Sequence, residues 1–145
     1  MVNYIGMQQC HIEGILAVER ECFTTPWSEN SFRAELANPL AYYIVALDND
    51  DVVGYGGMWK VCGEGHVTNI AVRESHRRQG VGNGICSRLI SESSKDGINA
   101  LTLEVRKSNI PAQKMYEKLG FTPNGERKNY YDGIEDAILM WCNLM

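Results

Sequence analysis

The spacing of apolar positions changes several times along the chain, and each change marks an element. Val2 to Ile5 reads as a short opening strand. Gln8 to Cys22 carries Ile12, Ile15, Leu16 and Cys22 near one face at helical spacing, which predicts a helix. Phe23 to Pro26 interrupts it. Ser28 then has the position of an N-cap for a second helix reaching about Leu36, with Trp27 and Phe32 where a hydrophobic staple would close. Asn38-Pro39 ends that helix. Ala41 to Leu47 and Val52 to Val61 flank the acidic turn Asp48-Asn49-Asp50-Asp51, the pattern of a hairpin. Gly63-Glu64-Gly65 is a second turn, leading into a strand from His66 to Val72.

The second half changes period again. After the glycine-rich Gly80-Val81-Gly82-Asn83-Gly84, a helix is expected to about Lys95, with Val81, Ile85 and Leu89 in register and Asp96-Gly97 closing it. Ala100 to Val105 is the next strand. Asn109 can cap a helix whose second residue is Pro111, near the position where proline is tolerated, and Gly120 stops it. Phe121 to Arg127 and Ile134 to Asn143 form a last strand pair around Asp132-Gly133. The order β-α-α-β-β-β-α-β-α-β-β is of the α/β class: a mixed sheet, mostly antiparallel at the front, with a βαβ crossover behind. Residues 1–145 are expected to form one domain.

Composition narrows the function. The 14 Lys and Arg against 18 Asp and Glu leave a net charge of −4, which argues against a nucleic-acid coat or an anionic-membrane binder and suits a neutral or basic macromolecular partner. No apolar run approaches the ~20 residues of a membrane helix. No Lys or Arg precedes Arg20 and no clean apolar leader is visible, so a cytoplasmic location is expected. The five cysteines, Cys10, Cys22, Cys62, Cys86 and Cys142, include no C-x-x-C pair, which fits reduced thiols. Cys62 and His66 are two conceivable metal ligands without a second pair, so no metal is expected.

The turn Arg77-Arg78-Gln79-Gly80-Val81-Gly82 lies between a strand and a helix. Glycines there let the backbone approach a ligand, and free N–H groups with the helix dipole favour an anion such as phosphate. A glycine-rich turn with solvated arginines is the plain alternative. The Gly-Lys-Ser/Thr ending of a nucleoside triphosphate loop is absent, and the spacing is G-x-G-x-G, which disfavours a dinucleotide site.

Asn69-Ile70-Ala71-Val72, four residues, then Arg77-x-x-Gly80-x-Gly82 resembles the acetyl-CoA signature of the GCN5-related N-acetyltransferases. Asn109-x-x-Ala112-x-x-x-Tyr116-x-x-x-Gly120-Phe121 resembles the later motif of the same family, in order and at the expected separation. The resemblance implies that the backbone of Ile70, Ala71 and Val72 holds the pantetheine arm and acetyl carbonyl. It implies that Arg78, Gln79, Gly80, Val81, Gly82 and Asn83 cradle the pyrophosphate with Arg77 at the motif's first position, and that Asn109 hydrogen-bonds the cofactor. The usual basic residue after the second glycine is Asn83 here, followed by Gly84, so backbone contacts are expected to carry the phosphate.

Leu101, Leu103 and Val105 alternate with Thr102, Glu104 and Arg106, so Glu104 points away from the aliphatic face. By itself it reads as a solvated strand glutamate, and Tyr116 as the edge of an amphipathic helix. Acetyl transfer to an amine needs a neutral nitrogen, a stabilised oxyanion and a protonated leaving thiolate. One carboxylate and one phenol lie one strand–helix unit after the cofactor turn.

Thr25-Pro26-Trp27-Ser28-Glu29, Leu103-Glu104-Val105-Arg106, Arg127-Lys128-Asn129-Tyr130-Tyr131 and Glu135-Asp136-Ala137-Ile138-Leu139-Met140 look like the RimI branch of that family, the ribosomal-protein-alanine N-acetyltransferases. The resemblance implies transfer from acetyl-CoA to the N-terminal alanine of a small-subunit ribosomal protein, with Glu104 accepting the proton and Tyr116 donating one. An α-amino group (pKa ~7.7–8.0) is far more often neutral at pH 7 than a lysine (~10.4), so a single carboxylate suits the former. Another amine acceptor, or an acyl-CoA-binding module without turnover, stays open. Tyr130 and Tyr131 either wall a peptide slot or pack on the sheet. Trp27 is core if Phe32 staples it and touches substrate if it turns outward.

Overall fold

The structure, a computed structural model, describes residues 1–144. Its strands are β1 (Val2–Gly6), β2 (Ala41–Asp48), β3 (Asp51–Val61), β4 (Glu64–Val72), β5 (Ala100–Arg106), β6 (Thr122–Tyr131) and β7 (Glu135–Asn143). Its helices are α1 (Ile12–Cys22), α2 (Glu29–Ala37), α3 (Val81–Lys95) and α4 (Ile110–Lys118). Element order is as the apolar pattern predicts. Most bounds shift by no more than a residue; three shift further. A 3-10 turn at Gln9–His11 precedes α1, β4 already begins at Glu64, and β6 runs on to Tyr131, past the expected Arg127. The second difference has a local cause: Cys62 (φ 50°) and Gly63 (φ 83°) alone turn the chain, so Val61 pairs with Glu64. Asn49 (φ 51°) and Asp50 (φ 71°) do the same between Asp48 and Asp51. Two consecutive positive φ values match the twist of an antiparallel pair.

The sheet runs β1-β2-β3-β4-β5-β7-β6, antiparallel everywhere except between β4 and β5, which α3 connects. Each face has its own core. On one face α3 and α4 bury Val81, Ile85, Leu89 and Tyr116 against Ile44, Met58, Leu101 and Leu103. On the other, α1 and α2 bury Ile12, Ile15, Val18 and Phe32 against Tyr43, Val45 and Tyr55. Removal of this apolar surface from water drives the fold at roughly 25 cal/mol per Å². Gly84 matters here because a Cβ would overlap the Tyr4 ring, so its absence lets β1 and α3 approach. Ser28 caps α2, its Oγ accepting from the Ser31 N–H at 3.2 Å, and Asn109 caps α4, its Oδ1 accepting from Ala112 at 3.2 Å.

Candidate active site

The parallel pair β4–β5 is short. Only Glu64, Gly65 and His66 find partners, at Ala100, Leu101 and Thr102. A bulge then leaves Thr68 without a partner on β3, because Val67 faces Met58 and Asn69 faces Gly57. The bulge exchanges the two faces of β4. Val67, Ile70 and Val72 join the α3 side, while Ala71 joins the α1 side. Beyond these residues β4 and β5 diverge, and the gap passes through the sheet.

A cavity of about 240 Å³ fills the gap, lined by Val67–Ile70 of β4 and Leu103–Arg106 of β5 with Phe23, Asn109, Ala112, Tyr116, Tyr130 and Tyr131. A groove of about 590 Å³ adjoins it, walled by Ile70, Val72, Arg78, Gly80, Gly82 and Asn83. Ile70, Asn109, Ala112 and Tyr116 border both spaces.

The groove is made largely of backbone. Arg78 (φ 63°) and Gly80 (φ 82°) are left-handed, and Gly80 caps α3 without a side chain to occupy its first N–H groups. Those donors and the positive end of a 15-residue helix suit a pyrophosphate. Arg77 reaches the groove wall, but its Nε donates to the Val72 carbonyl at 3.0 Å and its Nη2 to Cys22 Sγ at 3.4 Å. Its guanidinium therefore clamps β4 to α1. Gln79 donates to the Ser75 carbonyl at 3.2 Å and is not on the wall, so only its backbone belongs to the turn. Ala71 faces the α1 core, again leaving its backbone. Asn83 lies on the wall with its Oδ1 3.5 Å from the Ser87 hydroxyl. Asn109 spends Oδ1 on its own helix while its residue borders both spaces.

At the cavity Glu104 faces away from Leu103 and Val105, as the alternation predicts. Arg127 Nε lies 3.3 Å from its Oε1, and the Arg127 guanidinium lies over the Tyr130 ring. Arg106 stacks on Tyr131 at 4.4 Å and is held by Glu135 at 3.0 Å and Asp132 at 3.3 Å. Glu135 also accepts from the Ser108 N–H at 2.8 Å, which fixes the loop leading to Asn109. Tyr130 and Tyr131 thus wall the cavity. Burial pushes the Tyr131 phenol up to about 12. Tyr116 reaches the cavity from the opposite face, its ring edge-on to Phe121 at 5.7 Å. Burial raises its pKa well above the ordinary phenol range, so it keeps its proton at any physiological pH. Trp27 packs on Phe32 at 5.5 Å, the stapled alternative, and Phe23 takes the place beside the cavity.

One cluster escaped the sequence reading. Glu19, 1% exposed, accepts from the Tyr55 hydroxyl, from the Trp27 N–H at 2.9 Å and from Asn69 Nδ2 at 3.3 Å. Its signal was present: Glu19 falls within the apolar stripe Ile12, Ile15, Leu16, Cys22. Among the described residues no three His, Cys, Asp or Glu side chains gather as a metal site, and no helix is long and apolar enough to cross a membrane.

Residues 12–121 match the acetyltransferase (GNAT) family, and the chain belongs to it. That family is enzymatic and uses acetyl-CoA. Within it the chain stands with the RimI branch. It is 39% identical over 135 residues (92% of this chain, 89% of the relative) to a Bacillus subtilis protein provisionally named ribosomal protein bS18-alanine N-acetyltransferase. It is 36% identical over 126 residues (85% and 84%) to the Escherichia coli enzyme of that name. The crystal structure of the E. coli ribosomal-protein-S18-alanine N-acetyltransferase superposes with a TM-score of 0.91 at 32% identity, covering 99% of this chain and 94% of that one.

Proposed function

We propose that this protein acetylates the α-amino group of the N-terminal alanine of a small-subunit ribosomal protein, with Glu104 as general base and Tyr116 as general acid. The observation that carries this reading is that Glu104 and Tyr116, on opposite faces of the sheet, border one cavity that adjoins the groove at the glycine-rich turn. The identity with ribosomal-protein-alanine acetyltransferases supports the acceptor.

The residues fit acetyl-CoA. The turn from Arg78 to Asn83 holds the pyrophosphate through backbone N–H groups, Ile70 to Val72 hold the pantetheine arm, and Asn109 adds a side-chain contact. When bound, acetyl-CoA supplies the acetyl carbon and a thiolate leaving group. Glu104 takes a proton from the substrate ammonium, directly or through water. The β4 backbone, freed from β5 by the divergence, offers N–H groups to the developing oxyanion. Tyr116 returns a proton to the departing sulfur. The Arg127 guanidinium on Glu104 marks where a cation is stabilised, and the substrate ammonium takes that place.

The reaction belongs in the cytoplasm, where ribosomal proteins are made, and requires neither metal nor nucleic acid. Acetyl-CoA and peptides differing only in the first residue test the proposal through thiol release. Turnover on Ala, or on Ala and Ser, is expected. Turnover only on an N-blocked peptide with an internal Lys would replace the α-amino acceptor by a side-chain amine. Cofactor binding with no turnover on any peptide would make the chain a binding module.

A further inference from the structure

Asn69 lies on the acceptor cavity, and the network behind it dictates which way its amide faces. Glu19 is buried and forms no ion pair among the described residues; the hydrogen bonds it accepts come from neutral donors. The Tyr55 hydroxyl is one. Tyr55 is 0% exposed, and burial first, then the Glu19 carboxylate, push its pKa far up, so it holds its proton and donates it to Glu19. A hydroxyl committed as a donor has only lone pairs left. Asn69 Nδ2 meets them at 2.7 Å and reaches Glu19 Oε1 at 3.3 Å. The reversed amide would press Oδ1 against a carboxylate oxygen, which is repulsive. Oδ1 is therefore turned away from Glu19 and Tyr55. It has no hydrogen-bond partner among the described residues, yet no buried side-chain oxygen is left unsatisfied. It is open to solvent on a residue that lines the cavity.

We propose that Asn69 positions the acceptor amine: its Oδ1 accepts an N–H of the attacking nitrogen, with Glu19 and Tyr55 as positioning residues that hold the amide in that sense. This rests on the amine-acetylation reading. The substrate ammonium carries three N–H bonds. Glu104 takes one proton and frees the lone pair that forms the N–C bond as the C–S bond breaks and Tyr116 protonates sulfur. Two N–H bonds remain on the attacking nitrogen, and Oδ1 holds one, turning the lone pair toward the acetyl carbon; the other proton leaves as the tetrahedral adduct collapses and passes through water to the phenolate left on Tyr116, so the amide keeps one N–H. Asn69 itself is unchanged. A hydroxyl acceptor that has given its single proton to Glu104 has nothing left for Oδ1, so the arrangement selects amines over alcohols.

The test is steady-state kinetics of wild type, Asn69→Ala, Tyr55→Phe and the double variant, using the best amine-bearing peptide from the screen. Asn69→Ala should lower kcat/KM for the peptide by roughly ten- to a hundredfold while the acetyl-CoA KM stays within about twofold. Tyr55→Phe removes the reason for the amide's orientation and should give a smaller fall that vanishes in the Asn69→Ala background. If Asn69→Ala does not fold, Asn69→Ser supplies the same comparison. Wild-type turnover with Asn69→Ala within about threefold of it, or full additivity of the two substitutions, overturns the inference and leaves the acetyltransferase reading intact. No turnover by wild type on any amine overturns both.

Discussion

The two halves of the site are built differently. The turn from Arg77 to Asn83 is one continuous stretch of chain within the groove, and in the proposed reading it works through main-chain N–H groups presented by left-handed residues and a helix end. The cavity is lined from the loop after α1, β4, β5, α4 with its cap, and β6, with Glu19 of α1 and Tyr55 of β3 behind it, and in the proposed reading its working parts are side chains. A local backbone device depends on a few residues with unusual φ. A distributed side-chain device depends on many ordinary residues held by one another. The first should fail through its glycines, with loss confined to cofactor affinity. The second should fail through single polar atoms, with loss confined to the acceptor and the chemical step.

The largest separation is expected at Glu104. Glu104→Gln keeps shape and removes the proton acceptor, so kcat should fall by about 10²–10⁴-fold at unchanged acetyl-CoA affinity. Near-normal turnover of this variant, followed by thiol release, would remove the base from the mechanism. Tyr116→Phe should cost about a hundredfold in kcat, at the lower end of acid–base effects because water can reprotonate a thiolate of ordinary pKa. A leaving thiol more acidic than that of CoA should recover much of this loss in the variant and gain little in wild type. Equal gains in both would show that Tyr116 shapes the cavity and donates no proton.

The same contrast explains what the sequence made legible. The groove could be read because glycine spacing, a strand before and a helix after are local features. So could the alternation placing Glu104 opposite Leu103, and the caps at Ser28 and Asn109. The through-sheet gap could not, because it depends on the bulge at Thr68 and on β4 and β5 parting after three pairs. No short-range pattern encodes either. The Asn69–Glu19 contact spans 50 positions and Tyr55–Glu19 spans 36, so these partners become visible only when the strands are assembled. Trp27 was ambiguous for a related reason: the staple spacing was readable, but the alternative depended on which way the loop turned.

On the groove side the sharpest probe is Gly80. Alanine at φ 82° costs ~1–2 kcal/mol, and the turn can relieve that strain by rotating its N–H groups off the phosphate. Gly80→Ala should raise the acetyl-CoA KM about tenfold with the peptide KM unchanged. A rise in both would mean that the two halves are mechanically coupled through Val72 and the Arg77 clamp, and the contrast drawn above would weaken.

The smallest effect concerns the hairpin that carries Tyr130 and Tyr131. Glu135 is held below the usual carboxylate range, mainly by its hydrogen bonds with Ser108 and then by Arg106. A carboxyl whose folded pKa is depressed stabilises the native state above its unfolded value, about 4.3 for glutamate, and that contribution is lost as pH falls through the folded value. Asp136, held down by the Asn129 N–H and Lys128, behaves in the same sense. The wild-type melting temperature should therefore decline as the pH drops from about 5 toward 3. Glu135→Gln should melt lower than wild type at pH 7 and show a shallower decline, the two curves converging at low pH. Parallel curves would mean that Glu135 contributes by packing alone. Convergence with unchanged acetyl-CoA KM would place this ion network on the acceptor side, anchoring the cavity wall through Arg106 and Tyr131 without touching the groove.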